Sequence, residues 1–227
     1  MKIKNGKKKE GVIIGPALAV DTMIFTIREG EMCVLLIQIG QGPYQDKWAL
    51  PGGIVQIDET LDQAAQNVLA KKAGIKGLHM EQLYSFSGID RDVRGRVVSV
   101  AYFALVDSDG FSVETMEYYS AIEWKEVKKL PQMAFDHKEM IQYGVERLRS
   151  KIEYSNIVYG LLPKEFTLTE MQDVYEAIIG HPIDKRNFRK KILSLNILIE
   201  TDKERTGLKN RPAKLYRFNK RQLVFTD

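Results

Sequence analysis

From residue 185 to residue 190 the chain reads Lys-Arg-Asn-Phe-Arg-Lys. Guanidinium groups pair with the acceptor edge of guanine, an amide pairs with adenine, and ammonium groups hold phosphate. Lys185, Arg186, Asn187, Arg189 and Lys190 therefore carry the chemistry needed to read and grip double-stranded DNA. Lys203, Arg205, Lys209 and Arg211 add cations in the polar, glycine-bearing stretch DKERTGLKNRP, suited to the backbone or the minor groove. Lys185 to Arg221 holds 13 Lys and Arg against 3 Asp and Glu, a balance of +10 in a chain of net charge +4, so the remainder sums to −6. Such asymmetry points to a polyanionic partner for the C-terminal part. A second basic group, Arg91, Arg94 and Arg96, has the types that grip a carboxylate, a phosphate or a cluster of hydroxyls. An exposed turn pairing them with Asp90 and Asp92 has the same signature.

The elements that position these groups change character along the chain. From Ala17 to about Val106 the pattern is strand-rich: PALAVDTMIFTI, MCVLLIQI and RVVSVAYFALV. Between Thr60 and Ala73, Leu61, Ala64, Ala65, Val68 and Leu69 recur at helical spacing, with Gly74 as the stop signal. The loop PGGIVQIDE leads into that helix. A second helix runs from about Lys138 to Ile152 with Ile141, Val145, Leu148 and Ile152 on one stripe, and Asp136, beside His137, is placed to cap it or, alternatively, to stand in a sensor pocket. Trp48 and Trp124 read as packing residues. After KIEYSNIVYGLLPKEF the grammar turns helical. Thr169 is placed to cap a helix ending at Gly180, and Asp184 caps the next, DKRNFRKKILSLN. Two strands, ILIET and AKLYRF, follow. Two short helices with a basic second member and a hairpin match the winged helix-turn-helix, in which that second helix enters the major groove.

A length of 227 residues allows one large domain or two modest ones. We divide the chain into residues 1–152, a ligand-sensing domain, and 153–227, a DNA-binding domain. The longest apolar runs fall short of the roughly 18 residues of a membrane span, so no membrane partner is expected. The basic N-terminus lacks the apolar segment of a secretory signal. A lone Cys33 fits a reducing, cytoplasmic setting. The basic region lacks interleaved aromatics for stacking unpaired bases, which argues against an RNA-binding module.

The segment from Gly53 to Ile75 resembles the Nudix box: Gly53, Glu59, Leu69, Gly74 and Ile75 fall in register, and WALPG precedes it. In Nudix hydrolases the box glutamates hold magnesium ions that bridge a diphosphate and activate water. Here Asn67-Val68 replaces the Arg-Glu pair and Lys71-Lys72 the Glu-Glu pair, leaving only Glu59. Asp58, Asp62, Glu81, Asp90 and Asp92 are the remaining carboxylates near enough in sequence to substitute. Glu59 also fits a structural role at the helix terminus.

A degenerate Nudix domain joined to a winged helix is similar to the Nudix-related transcriptional regulators, NrtR, with their pentose-responsive relatives of the AraR kind. The resemblance covers nearly the whole chain, most strongly in DKRNFRKKI. It implies an α/β chain: a Nudix fold, an α/β/α sandwich with a mixed sheet, followed by a winged helix-turn-helix. It implies a homodimer that binds operator DNA and a small-molecule effector, ADP-ribose or a pentose. Arg91, Arg94, Arg96, Lys71, Lys72 and Glu59 are the candidate effector contacts, Lys71 and Lys72 by pairing directly with phosphate. No catalytic residue, metal or cofactor is expected. The competing expectation is a Nudix hydrolase of nucleoside diphosphate derivatives with an accessory C-terminal domain.

Overall fold

The computed structural model describes residues 15–75, 77–107, 119–206 and 212–226. Its centre is β1 (Ala17–Arg28), whose side chains are apolar on both faces: Met23 and Phe25 point one way, Val20 and Ile24 the other. A strand covered on both sides loses the polar alternation of a half-exposed one. β2 (Glu31–Ile39) returns antiparallel, with Phe25 opposite Val34. β6 (Val97–Leu105) runs parallel to β1 on its other side, from Ala17 opposite Val97 to Phe25 opposite Leu105.

A parallel neighbour requires a long crossover. It contains β3 (Trp48–Ala49), β4 (Gly52–Ile54), α1 (Leu61–Ala73) and β5 (Glu81–Phe86). The main path of the sheet is β3-β2-β1-β6-β5, with β4 on β1 and β7 (Tyr119–Glu126) on β2. Thr60 caps α1 in a reciprocal box with Gln63, and Gly74, at φ 68°, ends it in the left-handed region. Ala64, Ala65, Val68 and Leu69 lay α1 on the Val20 and Ile24 face. On the opposite face, α2 (His137–Tyr154) buries the predicted stripe Ile141, Val145, Leu148 and Ile152. Helices on both faces of a mixed sheet make the α/β/α sandwich.

The C-terminal part consists of α3 (Leu168–Ile179), α4 (Lys185–Ser194) and the hairpin of β8 (Leu198–Arg205) with β9 (Ala213–Phe218). Two details differ from the sequence reading. The cap of α3 is Thr167, not Thr169, because Glu170 stands three residues after Thr167 and closes a capping box with it. β8 continues through Arg205, so Lys203 and Arg205 stand on a strand rather than in the loop.

The stretch after α2 is packed. Ile157, Val158, Leu161 and Leu162 are buried in one core that starts at Met23 and Phe25, passes through α2, and ends at Phe188 and Phe218. The chain end returns to α2: the Asn156 carboxamide accepts from Val224 N–H at 2.7 Å and donates to the Gln222 carbonyl at 3.0 Å. Among the described residues no helix is long and apolar enough to cross a membrane.

Candidate functional site

A cavity of about 310 Å³ lies between β1, β2, the segment from Leu50 to Ile54, and the start of α2. Ala19, Ile37, Ile39 and Ala49 give it apolar lining, while Asp21, Lys72, Arg91, Arg94 and His137 give it polar groups. Phe135 and Tyr119 add aromatic rings.

Asp21 is the buried anion of this site. Ser99 Oγ donates to its Oδ2 at 2.5 Å, His137 Nε2 lies 3.4 Å from Oδ1, and Arg91 Nη2 lies 3.6 Å from Oδ2. Burial pushes its pKa up, but the His137 imidazole, the hydrogen bonds from His137 and Ser99, and the Arg91 charge outweigh burial and bring it down to about 2. Leu50 N–H donates to His137 Nδ1 at 2.9 Å, so the proton of a neutral ring sits on Nε2, facing Asp21.

Arg91 is internal. Burial opposes its charge, but Asp136 and Asp21 more than compensate, and its pKa rises. Its side chain is 3% exposed, and it donates to both carboxylate oxygens of Asp136. Asp136 does occupy the N-cap position of α2, yet its side chain makes no cap bond. Its carboxylate is a strut for Arg91. Arg94 is 60% exposed, pairs with Asp92 at 2.7 Å, and lies 5.4 Å from the centre of the Phe135 ring. Arg96 donates to the Gly88 carbonyl at 2.8 Å, away from the cavity lining.

The box lysines divide. Lys72 lines the cavity, donates to the Gly52 carbonyl and stands 5.1 Å over the Tyr119 ring. Lys71 lies with Glu59 on an outer groove of about 580 Å³. Glu59 accepts from Gln56 N–H at 2.9 Å and from the Asn67 carboxamide at 2.8 Å, and these bonds lower its pKa. Thus Lys72, Arg91 and Arg94 meet at the cavity, whereas Glu59, Lys71 and Arg96 stand elsewhere.

These groups do not suit a divalent cation. Both oxygens of Glu59 are engaged, and an ammonium already holds the Gly52 carbonyl. Three of the five substitutes are engaged too: Asp62 accepts from the Tyr102 hydroxyl at 2.6 Å, Glu81 pairs with the buried Lys151, and Asp92 pairs with Arg94, while Asp58 and Asp90 are exposed. Among the described residues, no three His, Cys, Asp or Glu side chains gather as a ligand set.

Sequence reading missed Asp21 and the part played by His137. The signal for Asp21 was available: it is the one charge inside ALAVDTMIF, and a charge in a two-faced apolar strand needs partners. Trp48 packs against the main core with Lys125 Nζ 4.4 Å over its ring, and Trp124 packs on the α1 side.

On the other part of the molecule, Asp184 caps α4 by accepting from Asn187 N–H at 2.8 Å, and Phe188 and Ile192 anchor the helix. That anchoring leaves Lys185, Arg186, Asn187 and Lys190 exposed on its outer face. Arg189 is only half-buried and turns back, with Nη2 3.3 Å from the Thr169 hydroxyl and Nε buried without a hydrogen-bond partner. Lys203 pairs with Glu165 at 3.0 Å and Arg205 with Glu170 at 3.2 Å. Lys209 and Arg211 lie outside the described residues.

Comparison with known proteins gives two domain matches: the NUDIX domain over residues 16–144 and the NrtR DNA-binding winged helix domain over residues 158–218. The chain is 37% identical over 207 residues to the ADPR responsive transcriptional repressor NtrR of Acinetobacter baylyi, covering 89% of this chain and 82% of that protein. It is 31% identical over 139 residues to the ADP-ribose pyrophosphatase of Methanocaldococcus jannaschii, covering 61% of this chain and 79% of that enzyme. The crystal structure of Shewanella oneidensis NrtR complexed with a 27mer DNA superposes with a TM-score of 0.78 at 34% identity, covering 89% of this chain and 93% of that one. The NUDIX domain of the same regulator complexed with ADP ribose superposes with a TM-score of 0.54 at 32% identity, over 63% of this chain and 94% of that domain.

Proposed function

Because the chain belongs to the NrtR family, in which a NUDIX domain is joined to an NrtR DNA-binding winged helix, we propose that it is an ADP-ribose-responsive transcriptional repressor. Residues 1–152 sense the effector and residues 153–227 hold operator DNA, as a homodimer on paired half-sites. The observation that carries this reading is the exposed row Lys185, Arg186, Asn187 and Lys190 on α4, anchored in the same core as the cavity-bearing sheet.

ADP-ribose suits the cavity better than a bare pentose. Lys72 and Arg94 offer cations for a diphosphate, and Phe135 and Tyr119 offer rings beside them. A pentose brings no anion to either cation. The A. baylyi relative is ADP-ribose responsive and the S. oneidensis NUDIX domain was crystallised with ADP ribose, which supports the same choice. Regulation of NAD-related genes follows more naturally from that effector than control of sugar use. The hydrolase reading draws on the M. jannaschii enzyme, but here Glu59 is engaged and the other box glutamates are replaced by Val68, Lys71 and Lys72.

Fluorescence anisotropy of the full-length protein on labelled fragments of its own upstream region, at about 0.15 M salt with a scrambled control, tests the proposal. Binding above the control that falls on adding ADP-ribose, and not on adding pentoses, is the expected result. Binding equal to the control, or release of AMP from ADP-ribose in magnesium, overturns it.

A further inference from the structure

We propose that Lys72 is a tethered cation: standing at a box position that is glutamate in Nudix hydrolases, its ammonium is held on the Gly52 carbonyl and takes a phosphate oxygen of the effector directly, with no metal ion between. Ligand binding is then independent of metal. The effector's identity rests on the reading above; the role of Lys72 rests on the geometry of its own surroundings.

Several restraints place that ammonium. A side chain on Gly52 would put its Cβ 1.8 Å from Asp21 Oδ1 and 2.9 Å from the Val20 carbonyl, so the loop backbone lies directly against the buried carboxylate. Asp21 is itself held by Ser99 and backed by Arg91 and His137. The Gly52 carbonyl is thus a fixed acceptor, and Lys72 donates to it. Lys72 stands in the last turn of α1, where the carbonyl end of the helix favours a cation. The face of Tyr119 lies 5.1 Å from Nζ.

An ammonium has three N–H donors, and the carbonyl takes one. The cavity it lines also contains Arg94, whose guanidinium stands by the Phe135 ring. Two cations beside two aromatic rings and an apolar wall suit an anion with a planar base attached, the chemistry of a nucleoside diphosphate. A divalent ion brought to the same carbonyl meets the positive charge of Lys72, so side chain and metal exclude each other.

The test uses the full-length protein and two probes, inorganic pyrophosphate and ADP-ribose, titrated calorimetrically in EDTA and in magnesium. Equal affinity in both buffers is expected. Lys72→Met, checked for folding by thermal melting, is expected to lose about tenfold or more in affinity for either probe, as for a deleted charge-assisted bond. A wild-type affinity that rises tenfold in magnesium, or Lys72→Met binding as tightly as wild type, overturns the proposal. Pyrophosphate bound through Lys72 while ADP-ribose is ignored upholds the tethered cation and refutes the effector. ADP-ribose bound equally by Lys72→Met does the reverse, and failure of both probes overturns both.

Discussion

Arg91 holds Asp136 with two donors, Nε at 2.9 Å and Nη2 at 2.6 Å, and so ties the loop before β6 to the residue that opens α2. Two segments 45 positions apart share one buried ion pair beside the cavity. Arg91→Met leaves the Asp136 and Asp21 carboxylates without their guanidinium. The expected loss is about 3 kcal/mol, since one-sided removal of a buried pair strands a charge. Urea unfolding measures it, and a loss below about 1 kcal/mol, the range of an exposed pair, contradicts the strut.

Asp21 gives the protein an acid-sensitive component. Its folded pKa of about 2 lies below the ordinary 3.8, so the stabilisation is fully present above about pH 4 and disappears as the pH falls through 2. At about 1.4 kcal/mol per pKa unit, the contribution is about 2 kcal/mol. Unfolding midpoints for wild type and Asp21→Asn between pH 5 and pH 2, about the window of this shift, are expected to converge toward the acid end. Parallel curves throughout that window count against it.

For the DNA face, the exposed side chains and the tucked one are expected to behave differently. Arg186→Gln and Lys190→Gln each weaken operator binding and lower the slope of affinity against salt by about one unit, as for a lost phosphate contact. Arg189→Gln shifts affinity with little change in slope, because its guanidinium turns toward Thr169 rather than outward. Anisotropy at several salt concentrations separates the two, and a slope change for Arg189 equal to that for Arg186 refutes the distinction.

Between the two parts, Arg149 on α2 donates to the Ile178 carbonyl at the end of α3 at 2.9 Å. Arg149→Met is expected to retain ADP-ribose binding and DNA binding while reducing the effect of one on the other by about threefold or more. Because the coupling is reciprocal, ADP-ribose affinity measured with and without operator must change by the same factor. An unaltered factor assigns the coupling elsewhere.

The elements legible in the sequence are those whose burial is uniform or whose caps are local. β1, β2 and β6 are apolar runs, and α1 lies between a threonine cap and a left-handed glycine. β5 and β7 escaped because both are only half-covered: EQLYSF and YSAIEWKE alternate irregularly and include charged side chains. The α3 cap was ambiguous in sequence, since Thr167 and Thr169 both have a capping-box residue three positions on, Glu170 and Gln172, and the Gln172 side chain instead bonds Glu176 and the Ile183 carbonyl. Arg91 looked like part of an exposed turn because its partners come from β1 and the start of α2, which no local pattern connects. Lys71 and Lys72, adjacent in sequence, separate because neighbouring helix positions point about 100° apart.

The core that passes from Met23 through Ile152 and Ile157 to Phe218 also decides how the molecule comes apart. Because that core is continuous, melting either part strips apolar surface from the other. The chain is expected to unfold with a single calorimetric transition. A cut after residue 152 bares the apolar side of α2 that faces the Ile157 to Leu162 segment, so the released sheet domain is expected to melt at a lower temperature than the full chain.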